Sequence, residues 1–394
     1  MIKILFIDNW SHGKRFFCPV AEEFTKHNYK CVYLHADSYY LNKKFKNLKP
    51  MIDSLYEDHD IIEYRSSLLR SFEDIKPDII VFISIHGIFH RWANFVADYL
   101  KIPCFFFMHG VRVSSPRKIA KKSLFYKLDR VNFYNKQFFL FIKDYIKIRG
   151  LNYSTFKFIF NYYREFIFDN YNYTNKPSIS LGFNYKIMFV NMLNDINYFT
   201  NHYPLSPFTN FVISGNVSAL EPAIKSKELN FKKDCVIFIS QPEIIELNKY
   251  IKLILLLSSI FDKTEFKFIF RPHPRDSDEL LDEIEKNKIT ISYENDVFDY
   301  ARSCAAIGIN SAMLIGFMFL RTPILQISDK INPEICSMFN YDRVIKIEID
   351  SILNPNLIIN ELRQLLKSSV ERVNMKTPSS IIYENIENYI KKNL

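Results

Sequence analysis

Short apolar runs alternate with helical segments along the first half of this 394-residue chain, and this alternation most constrains its fold. The apolar runs lie at Lys3–Asp8, Cys31–His35, Asp78–Ile85, Cys104–Met108, Asn184–Asn194 and Phe211–Ser214. Helical periodicity lies between them, around Cys18–His27, onward to about Phe72, and near Arg91–Leu100. Strands that alternate with helices at this spacing are typical of a doubly wound parallel sheet. The sequence therefore predicts an α/β fold.

A second strand–helix series begins at Cys235 and predicts a second domain of the same kind. Its strands are Cys235–Ser240, Phe266–Phe270, Ile289–Tyr293, Ala305–Ile309 and Pro323–Gln326, and its helices are Glu243–Phe261, Asp278–Lys286, Asp296–Ser303, Ala312–Phe319 and Asn356–Lys367. A chain of 394 residues is longer than one compact core usually accommodates. The polar, Lys-rich stretch Ala219–Lys233 lies between the two series and marks the boundary.

These patterns predict two Rossmann-like domains, over residues 1–225 and 226–374. A terminal helix within 375–394, near Ser379–Lys391, is expected to pack back on the N-terminal domain. A helical, aromatic insertion is expected in the N-terminal domain over about 123–173. Ligands bind outside the carboxyl ends of the strands in open α/β sheets. The cleft between two such domains is therefore the expected active site.

Positive charge is concentrated in the aromatic insertion. The whole chain has a formal net charge of +9, whereas residues 112–164 contain 13 Lys and Arg against two acids, which gives +11. Eight aromatic side chains fall between Phe125 and Tyr145. An amphipathic helix pair with a solvated basic face explains this composition, and so does binding to an anionic membrane surface. No recognition motif for nucleic acid is present.

The remaining features of the sequence indicate the cellular compartment of the protein. No window offers the 18 uninterrupted apolar residues of a membrane span, and the first residues turn polar too soon for a signal peptide. The six cysteines are scattered and form no CxxC pair, which indicates free thiols in a reducing environment. These features predict a cytoplasmic protein, either free or peripheral on the inner face of the plasma membrane.

The stretch Phe268–Asp276 reads F-I-F-R-P-H-P-R-D and places a histidine between two prolines at the end of an apolar strand. Proline fixes φ and disfavours helix in the residue before it, so His273 is expected on a stiff loop. A guanidinium offers a planar fork of donors to phosphate oxygens. Arg271, His273 and Pro274 are therefore candidate phosphate-binding residues. A proline-stiffened surface turn is the alternative.

A second candidate element is Ala305–Leu314, in which an apolar strand leads to Asn310 and Ser311 at the start of a helix. Ser and Asn are natural helix caps, which is the simple explanation. A helix that begins after a parallel strand also presents free N–H groups to an anion. Because both loops follow strands of one predicted sheet, His273 and Ser311 are expected to face the same phosphate.

The R-P-H-P loop, followed by G-I-N-S at Gly308–Ser311, resembles bacterial surface-polysaccharide transferases of the GT-B fold, in particular sialyltransferases and Kdo transferases with HP and serine motifs. Cytidine-linked glycerophosphotransferases have similar features. The resemblance covers about residues 234–330. It implies that His273, Pro274, Asn310 and Ser311 bind the phosphate and ribose of a cytidine-activated donor. No D/E-D/E-G motif is present, and Ile315-Gly316 stands where Glu is common, which leaves the base and the donor sugar open.

Polar residues also follow strands in the N-terminal half. Asp8 and His12 come after the first strand. We expect Asp8 to hold His12, and either His12 or Asp8 to take the proton of an acceptor hydroxyl. His109 follows Cys104–Met108, and with Gly110 and the adjacent Arg112 it resembles the His-Gly of glycerophosphotransferases. His86 follows another strand. Loop capping and solvated loop histidines are the alternative explanations.

Three further features have weaker assignments. Gly215, with Asn216, resembles the Gly-Asn loop that enters the second domain of such transferases, although a turn explains it equally well. Glu294 follows a short strand and could bind ribose hydroxyls. The D-x-D triplets Asp58–Asp60 and Asp276–Asp278 are interpreted as loop or capping residues, so no metal site is predicted.

The sequence thus predicts a GT-B glycosyltransferase that uses a nucleotide-sugar donor, with no cofactor and no required metal. The resemblance implies a CMP-linked nonulosonic acid or Kdo as the donor, and a capsule or lipopolysaccharide glycan or glycolipid as the acceptor. Arg271, His273 and Ser311 would stabilise charge on the leaving phosphate. The alternatives are a CDP-glycerol glycerophosphotransferase, a UDP-sugar hexosyltransferase, a nucleotide-sugar 2-epimerase and a non-catalytic glycan-binding protein.

Overall fold

The structure is a computed structural model, and the residues that it describes are 1–39, 55–85, 87–109, 138–139, 141–168, 183–203, 205–241, 246–273, 276–328, 336, 339–348, 355–368 and 376–394. These residues form two compact units. The first unit contains Met1–His109, the described residues from 138 to Val217, and Pro378–Leu394. The second contains described residues of Ser218–Thr377. No helix in the described part is long and apolar enough to cross a membrane.

Each unit contains one sheet flanked by helices. The strands are β1 (Lys3–Ile7), β2 (Lys30–His35), β3 (Glu57–Asp60), β4 (Ile79–Phe82), β5 (Cys104–Phe107), β6 (Ile187–Val190) and β7 (Asn210–Ile213) in the first unit, and β8 (Cys235–Ile239), β9 (Lys267–Arg271), β10 (Thr290–Ile291), β11 (Ser303–Gly308), β12 (Ile324–Ser328) and β13 (Val344–Glu348) in the second.

The helices are α1 (Lys14–Lys26), α2 (Leu68–Ile75), α3 (Ile88–Tyr99), α4 (Tyr153–Phe168), α5 (Leu193–His202), α6 (Val217–Ser226), α7 (Leu247–Phe261), α8 (Asp278–Lys286), α9 (Asp296–Arg302), α10 (Met313–Phe319), α11 (Pro355–Lys367) and α12 (Pro378–Asn393). Residues 141–149 are also helical, and short 3-10 helices lie at Ser11–Gly13, Asp37–Tyr39 and Ile61–Tyr64.

Both sheets are parallel throughout. The first has the strand order β3-β2-β1-β4-β5-β6-β7, and the second has the order β10-β9-β8-β11-β12-β13. In each sheet the strand order reverses beside the first strand of the series, at β1 and at β8. Because parallel strands carry their carboxyl ends at one edge, the loops after β1, β4 and β5 lie together, as do those after β8, β9 and β11. Such an edge is where α/β sheets bind ligands.

The side chains of β1 alternate between the two faces of the first sheet. Leu5 and Ile7 belong to a buried cluster that includes residues of α2 and α3, whereas Ile4 and Phe6 belong to one that includes residues of α1 and α12. Within this unit, Tyr383 of α12 packs on α1, with its ring centroid 5.2 Å from that of Phe24. The terminal helix is therefore part of the core on that face.

The second sheet is also covered on both faces. Val236 and Phe238 of β8 contribute to a cluster with residues of α7, α8 and α11, while Ile237 and Ile239 contribute to one with residues of α6 and α10. Strands buried on both faces explain why the sequence shows continuous apolar runs here, and not an alternating pattern. The prediction of two parallel α/β domains is confirmed.

Several local predictions were wrong. The helical pattern expected up to Phe72 is interrupted by β3, a charged edge strand. A strand is confirmed within Asn184–Asn194, but it covers only four residues and is followed by α5. The predicted linker Ala219–Lys233 begins inside α6, where Ala219, Leu220 and Ala223 are buried. Strand β13 was not predicted. Of the insertion, the helical residues 141–149 and α4 are described, and its remaining parts lie outside the described residues.

Candidate functional site

Asp8 and His90 form a buried pair at the carboxyl end of the first sheet. Asp8 follows β1, and His90 lies in the first turn of α3, which follows the neighbouring strand β4. Nε2 of His90 lies 3.0 Å from Oδ1 of Asp8, and the two residues are only 1% and 7% exposed. Because a carboxylate can only accept a hydrogen bond, Nε2 is the protonated ring nitrogen of His90, and its N–H donates the hydrogen bond to Oδ1 of Asp8.

Two polar atoms beside this pair lack a partner. Nδ1 of His90 and Oδ1 of Asn9 are buried, with no hydrogen bond to another described residue. Both side chains converge on Gly87, where a Cβ would lie 3.1 Å from Nδ1 of His90 and 3.2 Å from Nδ2 of Asn9. Buried polar atoms are nearly always paired in native proteins, so these atoms suit the hydroxyl or N–H groups of a ligand. We call Asp8, Asn9, Gly87, His90 and His109 the first carboxyl edge.

The second oxygen of Asp8 faces Gly13. A Cβ at Gly13 would lie 2.3 Å from Oδ2 of Asp8 and 2.7 Å from the hydroxyl of Tyr33. That hydroxyl donates to the backbone oxygen of Trp10 at 2.6 Å, which anchors the loop after β1. A side chain at position 13 would collide with the Asp8 carboxylate and the Tyr33 hydroxyl, so the position requires glycine. The Asp8 carboxylate lies between Gly13 and His90.

His109 follows β5 and completes the first carboxyl edge. Its ring lies 4.6 Å from that of Phe16, measured between centroids. Part of the residue is exposed, but desolvation by its neighbours lowers its pKa, an effect that the nearby Asp8 opposes. The lowered pKa favours the neutral imidazole, which can accept a proton.

The sequence did not single out His90. The expected contact of Asp8 with His12 involves a side chain outside the described residues, and the structure shows a contact of Asp8 with His90. His90 lies three residues after Gly87, in the first turn of a helix that follows a strand, but the predicted helix began at Arg91. Four candidate groups lie outside the described residues: the His12 side chain, His86, Arg112 and Pro274.

Asp276 organises the carboxyl end of the second sheet. It accepts the N–H of His273 at 2.7 Å and the hydroxyl of Ser240 at 2.9 Å, and so joins the loops after the paired strands β8 and β9. Desolvation raises the pKa of Asp276, and the two hydrogen bonds oppose that rise. The loop of His273 is thus fixed by a carboxylate that the sequence assigned only to helix capping.

Asn310 is held by Gln241, which follows β8. The N–H of Asn310 donates to Oε1 of Gln241 at 2.7 Å, and Nε2 of Gln241 donates to the carbonyl of Asn310 at 3.3 Å. Oδ1 of Asn310 is buried and has no hydrogen-bond partner among the described residues. The hydroxyl of Ser311 accepts the N–H of Met313, the first residue of α10, at 3.3 Å. We call Ser240, Gln241, His273, Asp276, Asn310 and Ser311 the second carboxyl edge.

Arg271 points its guanidinium at acids of its own unit. Nη2 donates to Oδ1 of Asp296 at 2.6 Å, and Nη1 lies 3.0 Å from Oδ2 of Asp299, which is fully buried. Arg302 binds the other oxygen of Asp299 at 2.6 Å, and it also lies 3.3 Å from Glu294. The structure therefore directs Arg271 and Glu294 into an ion-pair network that fixes the loops after β9 and β10.

The two D-x-D triplets have local partners. Asp58 pairs with Lys14 at 2.5 Å and lies 3.6 Å from Nε2 of His35, and Asp60 caps the 3-10 helix that follows it. In the second triplet, Ser277 caps α8 and Asp276 binds the His273 loop. In the described part of the chain, no group of three or more His, Cys, Asp or Glu is placed to hold a metal.

Gly215 lies after β7 with φ of +79°, a left-handed conformation in which a Cβ is strained. Its N–H donates to the carbonyl of Val190 at 3.3 Å. We expect Gly215→Ala to lower the free energy of unfolding by about 1 kcal/mol, measured by chemical denaturation. Gly215→Asn should cost less, because Asn tolerates this conformation. Equal stability of the alanine variant and the wild type would contradict this account.

No protein-family model matches the chain, and no curated protein matches it in sequence. Solved structures do match it along nearly its whole length. A putative UDP-N-acetylglucosamine 2-epimerase from Listeria monocytogenes has a TM-score of 0.55 and 10% identity, covering 100% of this chain and 98% of its own. S. aureus MnaA, solved with UDP, has a TM-score of 0.52 and 14% identity, covering 99% and 97%.

The calicheamicin glycosyltransferase CalG4 has a TM-score of 0.52 and 12% identity, covering 100% of this chain and 99% of its own. At these identities the similarity concerns the fold. The chain has the GT-B fold, with two parallel α/β domains.

Proposed function

We propose that this protein is a nucleotide-sugar-dependent glycosyltransferase. The proposal rests on one observation: each parallel sheet ends in a cluster of polar groups held by hydrogen bonds, and each cluster contains a buried atom without a hydrogen-bond partner in the described chain. One cluster suits a nucleotide-activated donor, and the other suits deprotonation of an acceptor hydroxyl. The names of the similar structures, two concerned with UDP or a UDP-sugar and one a glycosyltransferase, support this class of substrate.

The second carboxyl edge is assigned to the donor. His273 is held on its loop by Asp276, and Asn310 is held by Gln241, so both reach the ligand from fixed backbone. We assign His273 and Ser311, with Pro274, to the donor phosphate. The unpartnered Oδ1 of Asn310 is an acceptor, so it is assigned to a hydroxyl of the ribose or the sugar. Arg271 and Glu294 act on the donor indirectly, through the loops that they fix.

The first carboxyl edge is assigned to the acceptor. The Asp8 carboxylate is oriented by His90 and Gly13, and neutral His109 lies beside it. Transfer needs a group that takes the proton of the attacking hydroxyl as the bond to the sugar forms. Asp8 is the proposed base, with His90 as the residue that positions it.

The R-P-H-P and G-I-N-S elements support a finer proposal for the donor. They resemble the donor-binding motifs of CMP-dependent sialyltransferases and Kdo transferases. We therefore propose a CMP-linked nonulosonic acid or Kdo as the donor, and a bacterial surface glycan as the acceptor. Negative charge that builds on the leaving phosphate would be stabilised by His273 and Ser311.

A 2-epimerase of a UDP-sugar is the second candidate. The observation in its favour is the similarity of fold, with a TM-score of 0.55, to the Listeria protein that is named a putative UDP-N-acetylglucosamine 2-epimerase. The two candidates differ in product, because transfer releases the free nucleotide whereas 2-epimerisation returns the nucleotide-sugar with one inverted carbon. Nuclear magnetic resonance of the products separates them. Isomerised UDP-sugar without free nucleotide would contradict the transferase proposal.

Nucleotide binding can be tested before the acceptor is known. The melting temperature is measured with CMP, CDP, UDP, GDP and TDP, with and without Mg²⁺. A nucleotide at 100 times its dissociation constant should add about 2.7 kcal/mol to the free energy of unfolding. We expect stabilisation by CMP without Mg²⁺, and its loss in His273→Ala. The matched control His202→Ala, on α5 of the other unit, should respond like the wild type.

The possible results of this screen test the CMP donor, the nucleotide-sugar class and the role of His273 separately. A preference for UDP would contradict the CMP donor but keep the nucleotide-sugar class. No response of the wild type to any nucleotide would contradict the proposed function. An unchanged response in His273→Ala would remove His273 from the donor site.

A further inference from the structure

We propose that the helical hairpin formed by the described residues 138–139 and 141–160 is a membrane-docking surface that binds anionic lipid. This inference goes beyond the proposed transfer reaction and does not depend on it. In the part of the chain that the structure describes, exposed large apolar side chains concentrate in this hairpin. The five members are Phe139, Leu151, Tyr153, Phe156 and Phe160.

The hairpin is a pair of packed helices with a fixed inner face. The rings of Tyr145 and Phe158 stack across it, 4.3 Å apart and 10° from parallel. Asn152 caps α4 by accepting the N–H of Thr155 at 2.9 Å, and the hydroxyl of Thr155 donates to the carbonyl of Gly150. The turn between the helices is therefore ordered, and the outward side chains have a defined position.

The exposed rings of α4 lie on one face of the helix. Tyr153, Phe156 and Phe160 follow the i, i+3, i+7 spacing of a single stripe, and they are 83%, 56% and 67% exposed. The opposite face is buried through Thr155 and Phe158. Single exposed apolar residues are normal on protein surfaces, but a contiguous stripe of rings indicates an interaction surface.

Positive charge accompanies the stripe. Lys157 is exposed and lies between the rings on the same face of α4, and the preceding helical residues contribute exposed Lys143, Lys147 and Arg149. The only acid in the described hairpin is Asp144, which is buried. It accepts the hydroxyl of Ser67 at 2.7 Å and the indole N–H of Trp92 at 3.0 Å. Asp144 thus holds the hairpin against Ser67 and Trp92. The exposed charged side chains of the described hairpin are all positive.

An anionic bilayer fits this chemistry best. Aromatic side chains on the exposed face of α4 can enter the boundary between headgroups and acyl chains, while Lys157 on that face and the exposed lysines of the preceding helix reach the lipid phosphates. A second copy of the chain would place two positive surfaces against each other. Nucleic acid would also satisfy the charge, and it is distinguished by the test below.

The test is flotation of the full-length protein with vesicles of phosphatidylcholine alone or with about one third phosphatidylglycerol. We expect binding to the anionic vesicles only, weakened by high salt. Each lysine replaced in Lys143→Gln, Lys147→Gln and Lys157→Gln should lower the partition constant about fivefold. The double variant Phe156→Ser/Phe160→Ser should lower it at least about tenfold.

Phe208→Ser is the matched control, because Phe208 is 83% exposed in the same unit but outside the hairpin, and it should bind like the wild type. Nucleotide-dependent melting of the variants is measured in parallel, so that a failed donor site and a failed membrane surface are told apart. Absence of binding to anionic vesicles, or undiminished binding by the double variant, would overturn the proposal. Release from vesicles by an oligonucleotide that binds through the same rings and lysines would overturn it too, and would assign the surface to nucleic acid.

Discussion

Asp8→Asn is expected to lower the rate of sugar transfer by about 10²–10⁴-fold, the usual contribution of a general base. The amide keeps the size of the side chain and can still accept from Nε2 of His90, so the loop should keep its structure. It cannot take a proton from an acceptor hydroxyl. The rate is measured as the release of free nucleotide from the sugar donor that the melting screen identifies.

Nucleotide binding separates this effect from a general loss of structure. Since Asp8 belongs to the first carboxyl edge, Asp8→Asn should keep the nucleotide-dependent melting shift that His273→Ala loses. Asp74→Asn, an exposed aspartate on α2, is the matched control and should transfer sugar at the wild-type rate. A rate of Asp8→Asn within tenfold of the wild type would move the base to another residue, and His109 would be the next to test.

His90 is a positioning residue in this account, which its variants can test. Nε2 of His90 donates to Asp8, and the side-chain amide of glutamine can place an N–H at a similar point. His90→Gln should therefore keep much of the rate and an unchanged pH profile, whereas His90→Ala should lose both the contact and most of the rate. Equal losses in the two variants would show that the imidazole itself exchanges a proton.

The sequence predicted most of the buried strands because burial on both faces demands continuous apolar runs. Strand β3 was not predicted because its sequence is Glu-Asp-His-Asp, which has no apolar pattern. Charged residues are tolerated there because β3 lies at the edge of its sheet, next to solvent. Strand β13 is also an edge strand, in which the exposed Lys346 and Glu348 alternate with the buried Ile345 and Ile347. Of the four edge strands, β3 and β13 were therefore missed because charged residues interrupt their apolar pattern, whereas β7 and β10 were predicted.

The sequence predicted where several candidate residues lie better than it predicted which residues they contact. Prolines and strand ends located His273, and the strand ends located Asp8 and His109. Partners were harder to predict, because side chains distant in sequence meet only after folding. His90 reaches Asp8 across 82 positions, and Gln241 reaches Asn310 across 69. Arg271 was assigned to phosphate from its planar donor fork and its position at a strand end, and its contact with the buried Asp299 could not be read from the sequence.

Gly316 also had no explanation in the sequence, where it stands in place of a common Glu. In the structure it allows α10 to lie against Tyr300, whose hydroxyl donates to the carbonyl of Met313 at 2.9 Å. A Cβ at Gly316 would lie 2.3 Å from the hydroxyl oxygen and 2.4 Å from Cζ of that fully buried ring, and 2.7 Å from the carbonyl of Ala219. The position is glycine because two buried groups occupy the space of a side chain.

Gly316→Ala is therefore expected to lower the free energy of unfolding of the second unit by about 3 kcal/mol, the upper end of the usual cost of overpacking. Alanine in a helix interior would otherwise stabilise by about 0.5–1 kcal/mol relative to glycine, so even the sign of the effect is diagnostic. Chemical denaturation, monitored by circular dichroism, measures it.

Tyr300→Leu supplies the control through a double-mutant cycle. Leucine removes the phenol that the new methyl group would meet, although the Ala219 carbonyl remains. In the Tyr300→Leu background, Gly316→Ala should therefore lower the free energy of unfolding by less than it does in the wild type, with a difference of roughly 1 kcal/mol or more. Equal costs in the two backgrounds would show that backbone contact alone excludes a side chain at position 316. A stabilised Gly316→Ala would show that α10 moves away from Tyr300 without penalty, and that the close packing beside the second carboxyl edge is not required.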